Sequence, residues 1–299
     1  MLMQECCKET AVKLLHYRAD WRSIAFVLLA IACYAVQWLG VWRHPLLLIA
    51  SMLLVFIGCI INHNHQHHPT FVHRTSNALF GMLITLAIGV PASVIVAMHN
   101  LNHHVHNNNE RDHVRATIVD FRWRWLNPLL FPFVALSRFA KEKASVMRQW
   151  KISRPGLYQQ LTAERVVLYP MLVVLLIFKP VPTLLYLAVP YLFGQWAILA
   201  INHLQHVGCE TGSKYNHSRN FVGRWGNWWF FNNGFHTAHH LRPGLHWSKL
   251  PEYHARIEQH IQPQYNCRSL IWSGIQLYLL PGGARGRERL WKKEAGLPS

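Results

Sequence analysis

Residues 79–98 read LFGMLITLAIGVPASVIVAM, an apolar run set between two histidine-rich stretches, HNHQHH at 63–68 and HNLNHH at 99–104. The run has the length, about 20 residues, of a membrane-spanning helix. If it crossed a bilayer, the two histidine stretches would lie on opposite faces and could not share a site. Pro91 argues against a crossing, because an interior proline removes a backbone donor and clashes with the preceding turn. The run is therefore read as a broken, half-buried or interfacial segment that returns to the side it left.

Four further apolar runs surround it. Ile24–Val41 and Leu46–Ile61 are joined by WRHP, and Val166–Phe178 and Thr183–Ile201 by KPVP. Each pair reads as a helical hairpin across a membrane, although Val166–Phe178 is short unless it begins near Leu161. The predicted fold is all-α and integral to the membrane: four spanning helices under a cytosolic helical cap. With 299 residues, 51% of them hydrophobic and 14% charged, the chain is expected to form one membrane domain. Residues 1–22 are expected in the cytosol and 281–299 as a basic, mobile tail. The polar N-terminus shows no apolar core of a cleaved signal peptide.

Lys and Arg outnumber Asp and Glu by 30 to 13, a formal charge of +17. Nucleic acid is not the expected partner, because the basic residues flank apolar runs, where membrane orientation and anionic lipid account for them. Residues 110–165 hold eleven Lys and Arg against five Asp and Glu, while the KPVP turn holds one cation. That bias places 110–165 and the histidines on the cytoplasmic side. FRWRWLNPLLFPF, at 121–133, has the Arg, Trp and Phe mixture of an interfacial anchor. Six cysteines without a C-x-x-C pair fit free thiols in a reducing compartment.

Thirteen of the 21 histidines fall in four places: His63, His65, His67 and His68; His99, His103, His104 and His106; His203 and His206; and His236, His239 and His240. On a helix, residues three or four apart share a face. His63 pairs with His67, His99 with His103, and His236 with His239 and His240; His68 is an alternative to His67. His65 and His106 fall off those faces. Packing so many imidazoles together without a partner would cost desolvation and repulsion. Metal ions remove that cost. Nine ligands are too many for one tetrahedral zinc and suit two ions with open positions. Imidazole alone does not choose among Zn, Cu, Fe and Ni, but an apolar site with open positions favours iron and O2.

HNHQHH, HNLNHH and FNNGFHTAHHLRPGLHW resemble the three histidine boxes of the integral-membrane fatty acid desaturase superfamily, over roughly residues 45–255. The superfamily also contains alkane hydroxylases, carotenoid-modifying enzymes and alkene-forming fatty acid decarboxylases. The resemblance implies two iron ions, O2 as co-substrate, and the ligands His63, His67 (or His68), His99, His103, His104, His236, His239 and His240. The stretch Asn202–His206 resembles a further ligand motif, which adds His206 and sets Asn202 beside a metal-bound water. No catalytic residue apart from the ligands is implied. Asn232 and Asn233 could orient ligand imidazoles from outside. Glu110 and Asp112 could do the same, but pairing with Arg111 or Arg115 is the simpler expectation.

The implied activity is desaturation of a long- or medium-chain fatty acyl substrate. Hydroxylation of alkanes or lipids and oxidative decarboxylation begin with the same hydrogen abstraction. A metal transporter or sensor is the non-enzyme alternative, disfavoured because the predicted spans lack ionisable residues. The second box holds one residue more than the commoner H-x-x-H-H form, which leaves its rotation toward the metals open. No fused haem or rubredoxin module is visible, so electrons are expected from a separate ferredoxin, rubredoxin or cytochrome b5 type of donor. Trp225, Trp228, Trp229 and Phe231 could line an acyl tunnel or form an interfacial aromatic belt.

Overall fold

The computed structural model describes residues 14–281, so the tail beyond Pro281, together with Cys6 and Cys7, lies outside the described residues. Four helices are long and apolar enough to cross a membrane: α1 (Arg18–Leu39), α2 (Pro45–His67), α6 (Pro155–Phe178) and α7 (Pro180–His206). Between them lie α3 (Arg74–Ile88), α4 (Ala92–His106) and α5 (Leu126–Ser153). After α7 come the short helices α8 (Arg224–Trp229), α9 (His236–Leu241), α10 (Leu250–Ile257) and α11 (Leu270–Tyr278). Two two-residue strands, β1 (Asn220–Phe221) and β2 (Asn266–Cys267), pair in parallel.

Helix α2 forms the axis of the bundle. Pro45 sits at its start, where a missing N–H costs nothing, and the His44 ring accepts the Leu46 amide. Packed on α1 and α7, α2 is buried continuously from Leu54 to His63. Gly194 lets α7 come close, since a Cβ there would stand 2.6 Å from Val55 Cγ1. The outward faces keep large apolar side chains exposed, as hydrocarbon requires: Val166, Val173, Ile177 and Phe178 on α6 are examples.

Helices α3 and α4 are the two arms of the 79–98 run, bent by 94° at the break between them. Gly89 makes the turn with φ 72°, and a Cβ there would run into the Tyr191 ring. A break at membrane depth frees backbone groups that lipid cannot satisfy. Protein satisfies them here. The Leu86 carbonyl accepts the hydroxyls of Tyr34 (2.6 Å) and Tyr191 (2.7 Å). Thr85 Oγ1 accepts the Ala92 amide, and Asn62 Nδ2 donates to the Ala92 carbonyl. Ser93 donates both its amide and its hydroxyl to Glu164, each at 2.9 Å.

That last contact corrects the reading of α6. The helix starts at Pro155, eleven residues before the apolar run at Val166, so it carries Glu164, a fully buried ionisable side chain. Its carboxylate is committed to Ser93 and Gln160.

Candidate metal centre

Helices α2, α4, α7 and α9 deliver nine imidazoles to one place, in two groups. His63, His67, His99, His104 and His239 form one; His103, His206, His236 and His240 form the other. Within each group the ligand atoms lie within 4.8 Å of one another. In the first group His239 Nε2 stands 3.0 Å from His63 Nε2 and 2.9 Å from His104 Nε2, which is 3.0 Å from His99 Nε2. In the second, His236 Nε2 stands 3.0 Å from His206 Nε2 and 3.1 Å from His240 Nε2. The groups adjoin, with the His104 and His240 ring centres 4.4 Å apart.

These contacts are not a sufficient hydrogen-bond network. A ring nitrogen carries at most one proton, yet His239, His104 and His236 each turn one Nε2 toward two others. The Nε2 atoms of His67 and His103 are buried with no hydrogen-bond partner among the described residues. Converging lone pairs call for a cation. With metal–nitrogen bonds of about 2.1 Å, nitrogens at right angles on one ion lie about 3.0 Å apart, against about 3.4 Å for a tetrahedron. The spacings of 2.9–3.1 Å are short enough for both nitrogens of a pair to bind one ion.

The second box shows why its extra residue is needed. Val96–His103 is a π-helix, whose hydrogen bonds close on the fifth residue rather than the fourth. His99 and His104, five apart, therefore meet in the first group, while His103 turns to the second. This corrects the pairing of His99 with His103 expected from α-helical spacing; their ring centres are 5.2 Å apart but they serve different groups.

Groups around the ligands fix their tautomers. His103 Nδ1–H donates to Asp112 at 2.7 Å, both side chains being fully buried. Burial alone would raise the Asp112 carboxyl; His103 and the amides of Val114 and Asn108 outweigh it and hold the carboxyl below its usual range. Asp112 thus pairs with a ligand imidazole rather than with Arg111 or Arg115, and the Arg115 guanidinium goes to the Glu110 carbonyl. His206 Nδ1–H donates to the His217 carbonyl (3.1 Å), and His63 Nδ1–H to Asn64 Oδ1 (3.2 Å). Burial, then the neighbouring imidazoles, push His236, His239 and His240 well below the usual histidine range, which keeps them neutral.

His68 is not brought into either group. It follows α2 with extended backbone, bonds to the Pro69 carbonyl, and packs edge-on against His16, Tyr17 and His246. His65 turns to Thr70. His203 bonds to the Tyr278 hydroxyl at 2.6 Å. Asn202 directs its amide to the Val114 carbonyl, Asn233 offers its backbone carbonyl to Gln205, and Asn232 donates to the Trp247 carbonyl. Phe231 is fully buried against Phe26 and Trp247 and is not in the wall of the apolar cavity, whereas Trp225 is exposed at that cavity's mouth. Asp112 takes the role that the sequence left as its second alternative, and the His217 carbonyl is a support that sequence spacing gave no signal for.

The architecture and these groups define a helical membrane protein with a histidine-lined site that could hold metal. The family model for fatty acid desaturases matches residues 36–270, and the chain belongs to that family. It is an oxidoreductase of the desaturase or oxygenase type. Comparison with curated proteins returns no match.

Proposed function

We propose that the protein is an O2-dependent di-iron desaturase that introduces a double bond into a fatty acyl chain. The observation that carries this reading is an apolar cavity of about 370 Å³ walled in part by the helices that carry the histidines. Phe56 and Ile60 of α2 and Ile201 of α7 wall it, one or two helical turns before His63 and His206. Gln205 and Asn233 close its polar end, and Asn233 lies three residues before His236. Such walls hold a hydrocarbon chain dry and restrict which methylenes face the metal site.

His63, His67, His99, His104 and His239 would hold one iron and His103, His206, His236 and His240 the other. Iron bound there supplies O2 activation and removal of hydrogen from an unactivated methylene. The overall conversion removes two hydrogens from adjacent carbons and reduces O2 to two waters, with two electrons and two protons supplied from outside. The residues around the ligands aim two of the imidazoles: Asp112 holds His103 and the His217 carbonyl holds His206. Asn202 and Asn233 lie close enough in sequence to His206 and His236 to steady the backbone that carries them.

A separate polar cavity of about 300 Å³ reaches His104 and His240 past Lys214 and His217. It suits entry of water and approach of a separate acidic electron donor of ferredoxin, rubredoxin or cytochrome b5 type. The Lys/Arg excess in 110–165 supports a cytoplasmic position for this side.

The test is turnover of a labelled saturated fatty acid with O2, a reductase and a donor, with products separated by gas chromatography. An internal olefin is expected. A hydroxylated product or a terminal alkene one carbon shorter overturns desaturation within the same site, and metal binding without O2 consumption overturns the enzymatic reading.

A further inference from the structure

The apolar cavity has a charged rim. The pairing of β1 with β2 sets Phe221 opposite Cys267, and a Cβ on Gly223 would collide with the Arg268 carbonyl. The backbones of Arg224, which follows Gly223, and Arg268 are therefore close at the mouth. Both are exposed and line the cavity, and no ion pair among the described residues involves either. Two exposed guanidiniums on one rim, with no carboxylate paired to them, can take an anion. Nothing acidic lines this cavity.

The surroundings of the mouth are apolar. Trp225 on α8 is 82% exposed, and Ile271 and Trp272 on α11 are 73% and 53%, a large apolar surface to leave facing water. Tryptophan and arginine together at the end of a spanning bundle mark the level of lipid head groups. The cavity thus has the side chains of a lipid head-group level at its mouth, with cations at its rim and apolar walls that include Phe56 and Ile60.

We infer that Arg224 and Arg268 form an anion subsite that selects a single-chain lipid with an acidic head, loaded from the bilayer with its chain in the apolar cavity. This rests on the acyl-desaturase reading and deepens it, because an alkane or a neutral ester would gain nothing from the rim. The acidic head, whether carboxylate or phosphate, stays at the rim while methylenes reach the metal site, which favours attack within the chain over loss of the head group.

The experiment measures displacement of fluorescent parinaric acid from the full chain in neutral detergent. Two competitor pairs are used: palmitic acid against methyl palmitate, and lysophosphatidate against lysophosphatidylcholine. The wild type is expected to prefer the acidic member of at least one pair by about tenfold or more, and that pair names the head group. The variant Arg224→Ala with Arg268→Ala should lose that preference with the neutral member unchanged, and Arg224→Lys with Arg268→Lys should keep most of it. Equal binding within both pairs, or a preference that survives the double alanine change, overturns the subsite. A Cβ at Gly226 meets nothing within 4 Å, so Gly226→Trp can plug the mouth. It should weaken all competitors alike while metal content stays as in wild type. Unaltered binding in Gly226→Trp overturns the cavity as acyl channel, a failure of the proposed function separate from that of the arginines.

Discussion

Helix α2 and the α3–α4 pair bring histidines to the same centre by opposite means. α2 is buried continuously from Leu54 to His63, and its last two turns project His63 and His67. The α3–α4 pair enters, bends by 94° and returns, so that α4 presents His99, His103 and His104 beside them. The unbroken helix satisfies its own backbone. The bent one borrows partners from Tyr34, Tyr191, Asn62 and Glu164. Position in the centre is thus set by apolar packing for one segment and by buried polar contacts for the other, and the two should fail differently.

The largest effect expected is one that ignores this difference. His63→Ala and His99→Ala sit on unlike segments but in one group, so both should lose one metal equivalent and activity below detection, read by elemental analysis and turnover. Glu164→Leu should then separate the segments. It leaves the Ser93 amide and hydroxyl buried without a partner, a cost of about 1–3 kcal/mol. Thermal unfolding should shift down and metal occupancy fall, with Glu164→Gln, which keeps a carbonyl acceptor, closer to wild type. A wild-type melting curve for Glu164→Leu would show that packing, not the polar contact, holds the break.

Asp112→Asn should act more locally. It leaves the fold intact and weakens metal binding about 10- to 100-fold, measured by competition with a chelator, because the His103 tautomer and orientation lose their anchor. His68→Ala is the smallest. Removing a ring that faces His16, Tyr17 and His246 should leave both metals in place, whereas His67→Ala, one residue earlier, should not.

Much of this arrangement is legible in the sequence because hydrophobic run length and helical spacing act locally. The two hairpins and the return of 79–98 follow from apolar lengths and Pro91. What escapes are features set by contacts between distant segments. The first eleven residues of α6 include Gln159, Gln160, Glu164 and Arg165, so apolar length starts that helix at Val166 or, at most, near Leu161. The division of His99 and His103 between groups depends on a π turn, which no residue type announces. Asp112 reaches His103 across a loop of nine positions whose turn is held by Asn108. The choice between His67 and His68 turns on where α2 ends, and the chain goes extended at His68.

Metal stoichiometry of paired variants addresses the account most directly. Purified wild type is predicted to carry two irons per chain. His63→Ala with His67→Ala, and separately His206→Ala with His236→Ala, should each retain one. A wild type that binds a single ion at saturation, or a pair that strips both ions while the other pair strips neither, would contradict two adjoining centres built from nine imidazoles.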